Sequence, residues 1–593
     1  MDTSQSTVAG AGANANAYRK LIDIGIALSV ERDYAKLMER ILLEAKAFTN
    51  ADAGTLYLNN QDKELTFQIV RNDTLNIALG GTTGAPISFK PVQLFTESGA
   101  PNMNNVASCS AITGQVINIA DAYTSDRFDF SGTKRFDAST GYRSQSFLTV
   151  PLKNHEGLVI GVMQFINAED ATGKAIPFDD ATVPLVEALA SQAAVSIDNR
   201  MLIEAQKNLL DAFIELIAAA IDAKSPYTGG HCQRVPELTE MLVRAVCDEA
   251  DGPFKDFTLD EAGWYELHIA CWLHDCGKVT TPEYVVDKAT KLETIYDRIH
   301  EVRMRFEVLK RDAEIAYLKG RLEGGDEATL RSAYQAELAA LDEDFSFIGE
   351  CNVGGEFMAP AKVERLKKIA ERTYTRTLSD RIGISFAEKT RCEREPQKPL
   401  PVIEPLLQDR YDHIIQRDAE DLMPPDNKWG FKLKVPERKY NLGEMYNLAI
   451  GRGTLNEEER YKINDHIMQT IIMLEGLPFP RHLRRVAEYA GGHHEKMDGT
   501  GYPRGLKRED MSIPARVMAI ADIFEALTAA DRPYKPAKKL SESIKIMGFM
   551  VKDKHIDPEL FKLFLSSGVY KEYAAKYLKP EQLDEVDLTS YLT

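Results

Sequence analysis

Two hydrophobic periods alternate along the first two hundred residues. Leu21, Ile24 and Leu28 recur at helical spacing from Tyr18 onward, and a second helical stretch centres on Leu37, Ile41 and Ala45. Five short apolar runs then predict strands: Thr55–Leu58, Leu65–Val70, Gln115–Ile119, Phe147–Leu152 and Leu158–Ile166. Asn154–His155–Glu156–Gly157 has turn composition, so the last two strands form an antiparallel hairpin. A long helix follows Phe178–Asp179–Asp180. The expected fold is α+β with a central antiparallel sheet. From Leu189 to about Ala223 the chain has no Gly or Pro, and Val195, Ile197, Met201, Leu202, Leu209, Phe213 and Leu216 form an apolar stripe. This predicts one linking helix that pairs with a second copy in a homodimer; the alternative is packing within its own chain.

The remainder reads as helical. Trp264–Leu273 and Asp557–Leu578 have helical content, with a loose end after the latter, and Ile520–Asp522 sits on an apolar stretch. In the highly charged Glu293–Leu341, residues Ile299, Val302, Phe306 and Leu309 follow a three-four-three spacing, which predicts a helical hairpin turning at Gly324–Gly325–Asp326. Residues 384–440 are rich in Pro and charge and read as irregular.

Composition narrows the function. At 593 residues the chain is too long for one core, and 44% hydrophobic with 27% charged residues is ordinary for globular protein. No run approaches the ~18–20 apolar residues of a membrane span, so no membrane partner is expected. Met1–Asn16 is small and polar with no basic start, so it reads as a disordered lead-in and not a signal peptide. Seven scattered cysteines provide no disulfide framework, and Cys232, Cys271 and Cys276 read as packing residues; a cytoplasmic location follows. A net charge of −18 argues against DNA or RNA as partners but leaves room for a small anion in a local basic pocket.

The chemistry concentrates in His493–His494–Glu495–Lys496–Met497–Asp498–Gly499–Thr500–Gly501–Tyr502–Pro503, in Leu273–His274–Asp275–Cys276–Gly277–Lys278, and in Ile520–Ala521–Asp522. Imidazole and carboxylate donors without thiolate suit iron, manganese, nickel or zinc. With His231 and His466, these clusters resemble the HD-GYP family, metal-dependent phosphodiesterases that hydrolyse cyclic di-GMP. The resemblance covers about 211–292 and 453–550. It implies an all-α domain and a metal set of His231, His274, Asp275, His466, His493, His494 and Asp522. Asp275 would bridge two divalent ions, iron foremost, with His231, His274 and Asp522 on one and His466, His493 and His494 on the other. A hydroxide between the ions would be the nucleophile. The resemblance further implies Lys278, Arg532 and Lys535 as phosphate contacts and Tyr502 at the guanine end of the pocket. Asp275 and Lys278 are thus the expected catalytic pair. Asp498 is read as holding its loop by hydrogen bonds.

His300 is a competing histidine, soon after Leu292, but the acidic run Glu457–Glu458–Glu459 before His466 fits the family pattern better. Members of the family that bind a third ion carry a glutamate where Tyr227 stands here, which implies two ions. About 160 residues, 293–452, interrupt the family pattern as a mainly helical insert with no metal motif.

Asn167–Ala168 followed by Phe178–Asp179–Asp180, with a lid-like Asp129–Arg143, resembles the signature of cyclic-nucleotide-binding GAF domains. Ala168 replaces a lysine and Asp180 a glutamate. A cyclic nucleotide is the leading ligand, and a structural or dimerising role is the alternative. The expected organisation is a lead-in (1–16), a GAF sensor (17–188), a linking helix (189–223), the HD-GYP domain in two parts (224–292 and 453–593) and the insert between them. The expected function is hydrolysis of cyclic di-GMP to pGpG, with onward cleavage to GMP open, under GAF control. The alternatives are another cyclic dinucleotide such as a mixed guanine–adenine one, a weakly catalytic sensor or scaffold signalling through the insert, and a broader nucleotide phosphohydrolase.

Overall fold

A computed structural model describes residues 19, 22–26, 31, 33–60, 63–224, 230–355, 357–530 and 537–592. The lead-in 1–16, Leu21 and Leu28 of the opening helix, Tyr227, Arg532 and Lys535 lie outside the described residues. The chain divides into two units, Met1–Leu210 and Asp211–Thr593.

The first unit is built on one antiparallel sheet. Strands β1 (Ala51–Asn59), β2 (Glu64–Asn72), β3 (Ile77–Gly80), β4 (Val92–Gln93), β5 (Ile117–Ile119), β6 (Phe147–Lys153), β7 (Val159–Glu169) and β8 (Ala175–Ile176) run in the order β3-β2-β1-β7-β6-β5, with β4 on β2 and β8 on β7. The register sets Leu56 opposite Met163 and Val150 opposite the same Met163. Because side chains alternate across a strand, Leu56, Leu58, Met163 and Phe165 share one face. That face buries against Leu37, Ile41 and Ala45 of the helix Tyr34–Phe48 and against Leu189, Ala193 and Ile197 of the helix Val183–Lys224. Tyr57 and Val162 point to the other face, where they meet Ala107 and Ala111 of the helix Val106–Thr113. Burial on both faces explains why these strands read as nearly continuous apolar runs. The strand expected from Gln115 begins only at Ile117, because Gly114, at φ 64°, is still ending the preceding helix.

The second unit is largely helical. The expected hairpin is present as helices Ile299–Leu322 and Glu327–Val353, with Asp326 capping the second through the Thr329 N–H. The stretch expected to be irregular contains a helix, Phe386–Cys392, and three short strands. Strand β9 (Thr373–Arg376) pairs with β10 (Val402–Pro405), and β11 (Ile414–Gln416) with β12 (Arg438–Asn441). Strands of three or four residues are too short for an apolar-run reading; in β9–β10, Arg376 and Tyr374 flank the buried Glu404. The C-terminal helices are Pro558–Ser566 and Val569–Tyr577, and the end expected to be loose carries a last short helix, Thr589–Leu592, whose Tyr591 ring meets Phe561.

Candidate metal centre

Five helices of the second unit supply the expected donors. His231 opens the helix His231–Cys247, and His274 and Asp275 end the helix Glu261–Leu273. His466 lies inside Glu457–Glu475, His493 and His494 follow Val486–Gly491, and Asp522 sits within Ile513–Thr528. Three of these five stations are helix ends, where a short reversal turns a side chain inward.

The turn after Asp275 allows the approach. Gly277 N–H donates to Thr470 Oγ1 at 2.9 Å, and a Cβ on Gly277 would stand 1.9 Å from the His466 carbonyl oxygen. Only a residue without a side chain lets this turn lie on the His466 helix.

Three imidazoles are oriented alike. Nδ1–H of His274 donates to the Cys271 carbonyl at 2.7 Å, that of His493 to Ala490 at 2.7 Å and that of His466 to Ile463 at 2.5 Å. A proton held on Nδ1 leaves the Nε2 lone pair free to serve as a ligand. His231 is held differently: its Nδ1–H donates to Glu525 Oε2 at 2.6 Å, and Arg234 Nε donates to Glu525 Oε1 at 2.8 Å.

The free atoms converge on Asp275. One of its oxygens, Oδ2, lies 3.1 Å from His231 Nε2 and 3.3 Å from His274 Nε2, and it also accepts from the Lys278 ammonium. The other, Oδ1, lies 3.2 Å from His466 Nε2. Asp522 Oδ1 is 3.4 Å from His231 Nε2, and His494 Nε2 is 3.1 Å from His466 Nε2. The donors form two groups, His231 with His274, Asp275 and Asp522, and His466 with His493 and His494, each with ligand atoms within 4.8 Å of one another.

These donors fit a pair of divalent ions. Buried His274 Nε2, His493 Nε2 and Asp275 Oδ1 make no hydrogen bond. Such an orphan costs about 1–3 kcal/mol, so three converging in one place point to a cation. Charge agrees. Burial, helped by the neighbouring His274, lowers His493 to about 4, and burial with His493 and His466 lowers His494 well below its ordinary value. Both imidazoles are neutral at pH 7. Burial opposes ionisation of Asp275, but Lys278 and His274 hold it well below the carboxylate range. Burial likewise opposes the charge on His231, yet its bonds to Asp275 and Glu525 raise it to about 9, so occupancy of its Nε2 displaces a proton.

The His493–Pro503 stretch forms a loop around an anion. The Glu495 carboxylate is wholly buried and accepts N–H bonds from Arg504 (2.7 Å), Gly505 (3.1 Å) and Leu506 (2.9 Å). Asp498 accepts from the Thr500 N–H and hydroxyl. The Tyr502 ring stacks on His494 with centroids 5.0 Å apart and planes 19° apart. The segment before the helix Glu457–Glu475 reaches this loop: Lys432 N–H donates to the Pro503 carbonyl at 2.7 Å, and Arg504 Nε donates to the Trp429 carbonyl at 2.8 Å.

Other expected residues stand apart. His300 is exposed on the first turn of Ile299–Leu322, beside Arg303, and belongs to neither donor group. Cys232, Cys271 and Cys276 are buried and contribute no donor; burial pushes the Cys276 thiol up to about 11. Glu525, Arg234 and Glu495 are site residues that the sequence reading missed. A signal existed for two of them: Glu525 follows Asp522 by one helical turn, and Arg234 follows His231 by one.

Comparison with known proteins bears on both units. A family model described as GAF domain matches residues 33–197, and one described as HD domain matches 401–560. The HD match begins inside the stretch read as insert and leaves His231, His274 and Asp275 outside it. Among curated relatives, "3'3'-cGAMP-specific phosphodiesterase 1" of Vibrio cholerae is 40% identical over 116 residues, 20% of this chain and 26% of the relative. A "Cyclic di-GMP phosphodiesterase" of Pseudomonas aeruginosa is 40% identical over 95 residues, 16% and 22% of the two chains. One of the same description from Thermotoga maritima is 38% identical over 153 residues, 26% and 38%. The chain thus spans about a quarter of the length of the first curated relatives it matches. Family models, sheet and helical remainder together assign the chain: it carries a GAF domain followed by an HD domain.

Proposed function

We propose that the second unit hydrolyses cyclic di-GMP to pGpG at a dinuclear metal centre of the HD-GYP kind. The observation that carries this reading is the convergence of His274 Nε2, His493 Nε2 and Asp275 Oδ1, buried and without hydrogen bonds, among seven donors. His231, His274 and Asp522 would hold one ion and His466, His493 and His494 the other, with Asp275 offering one oxygen to each group. Iron is the first choice, then manganese, nickel or zinc. Bound there, the ions would supply Lewis-acid polarisation of the phosphodiester and an activated water.

The protein's own part is orientation and charge. Three backbone carbonyls hold imidazole protons away from the donor space, and Glu525 does so for His231. Lys278, its charge kept by Asp275, is a cation for a phosphate oxygen, and the Tyr502 ring on His494 borders the base end of the substrate. Arg532 and Lys535 complete the phosphate contacts in this reading. Two ions rather than three are proposed, because Tyr227 offers a neutral phenol where a carboxylate is needed. Anomalous scattering with a third well-occupied ion beside His231 would refute that count.

A second substrate is favoured by a specific observation: relatives about 40% identical carry the name 3'3'-cGAMP-specific phosphodiesterase. Turnover of cyclic di-GMP and of 3'3'-cGAMP by the purified, reduced protein loaded with iron or manganese tests both. Faster turnover of cyclic di-GMP supports the main reading, a preference for the mixed dinucleotide supports the second, and binding without turnover of either overturns both.

Control by the GAF unit belongs to the same proposal, with a cyclic nucleotide as its ligand. Along the helix Val183–Lys224, Val195, Leu202, Leu209 and Leu216 recur every seven residues and are 45%, 49%, 58% and 63% exposed. A seven-residue apolar seam is what a paired helix in a homodimer uses. Deleting residues 1–185 is expected to change turnover or its response to cyclic nucleotides, since an effector must favour one conformation over another. A truncated protein equal to the full chain in rate, response and oligomeric state would remove this part.

A further inference from the structure

We propose that the second unit holds an additional binding site, for an organic phosphate of nucleotide size, on the side of the His466 helix that faces away from the metal centre. A cavity of about 680 Å³ opens between the end of the insert and the first turns of the helix Glu457–Glu475. Lys434, Arg452 and Arg460 line it with exposed cationic ends. Arg460 reaches only the backbone carbonyls of Arg452 and Leu455, each at 3.5 Å, and none of the three forms an ion pair among the described residues. Glu457 is the one acidic residue in the lining. The neighbouring carboxylates are already engaged: Glu458 accepts from the Tyr446 hydroxyl, and Glu459 is bound by Lys288.

Three cations against one carboxylate, in a chain of net charge −18, make a local positive basin with a ligand's worth of room. Its wall is not purely polar. Half-buried Tyr446 presents ring surface beside Leu433 and Ile450, with the edge of buried Tyr461 next to them, which suits a flat heterocycle next to a phosphate held by the arginines. Tyr461 belongs to an apolar cluster with Phe431, Met468 and Ile471, so this wall is anchored on the helix itself. With ~3.6 residues per turn, Tyr461 and Asn464 lie on the opposite face from His466. The site is therefore separate from the metal donors and does not depend on the phosphodiesterase reading.

The test uses the full chain carrying Asp275→Asn, which removes the carboxylate shared by the metal donors, with GMP and inorganic phosphate as probes. Isothermal titration and the shift in Tm on adding GMP are the readouts. GMP is expected to bind and raise Tm in Asp275→Asn, and Arg452→Glu with Arg460→Glu is expected to weaken binding at least tenfold. Lys434→Glu alone is expected to weaken it less, and all three positions are exposed, so the circular dichroism spectrum should not change. Absence of GMP binding, binding that survives the double charge reversal, or inorganic phosphate binding as tightly as GMP would each overturn the proposal.

Discussion

Both units bury a knot of polar side chains, and the two knots differ in one respect. In the GAF unit the Tyr142 hydroxyl donates to Asp52, Asn167 Nδ2 donates to that hydroxyl at 3.0 Å and to the Arg143 carbonyl at 2.8 Å, and Asn167 Oδ1 accepts the Gln145 N–H at 2.7 Å. The other Asp52 oxygen accepts from the Thr74 N–H and hydroxyl. Every group named there has a protein partner. At the candidate metal centre three donor atoms have none. A closed polar network stiffens a fold, whereas an open one holds space for something the protein must bind. By this criterion Asn167, singled out as part of a ligand-binding signature, works as a brace between β7 and the segment before β6.

Substitutions can break this contrast. The largest effect is expected from Asp275→Ala, which removes both the oxygen beside His231 and His274 and the one beside His466: metal content should fall towards zero and turnover should be lost. A full complement of metal in that variant would refute the bridge. Next, His466→Ala should lose about one ion of two per chain by elemental analysis, while His300→Ala should lose none; the reverse result would exchange the two histidines. Gly277→Ala should destabilise the second unit by about 1–3 kcal/mol in denaturant titrations, because its Cβ must push the turn off the His466 helix. The same variant should show reduced metal content, and unchanged values in both measurements would discount the close approach. Glu525→Gln keeps the shape of the His231 partner and removes its charge. It should weaken metal binding by roughly 10–100-fold, read by competition with a chelator, and equal affinity would leave Glu525 with no orienting role. The smallest effect on the centre is expected from Tyr142→Phe in the GAF unit. Its cost should be about 1–3 kcal/mol of stability with metal content unchanged. A variant as stable as the parent would mean that the GAF network is not the closed brace described here.

Much of the fold was legible because periodicity is local. The hairpin helices, the long helix and the main strands follow from apolar residues at spacings of two or of three to four. Strands β9 to β12 were not legible, since three or four residues carry too little period to read. The donor residues stood out by type and order. Their mutual placement did not, because His231 and Asp522 are separated by almost three hundred positions and meet only through packing of the helices His231–Cys247 and Ile513–Thr528.

What the sequence alone determined is therefore the inventory: which residues can ligate, which segments form helices or strands, and that the C-terminal part carries chemistry the GAF unit lacks. Tertiary structure alone decided which atoms are left without partners. It turned Nδ1 of three histidines onto carbonyls three residues earlier, set Glu525 behind His231, and brought Lys432 and Trp429 onto the loop after Tyr502. It also joined residues 433–452 to the His466 helix to form the basic cavity. The physical reason is that hydrogen-bond satisfaction and electrostatic neighbourhood depend on distances of a few ångströms between residues remote in the chain, and packing, not local propensity, sets those distances.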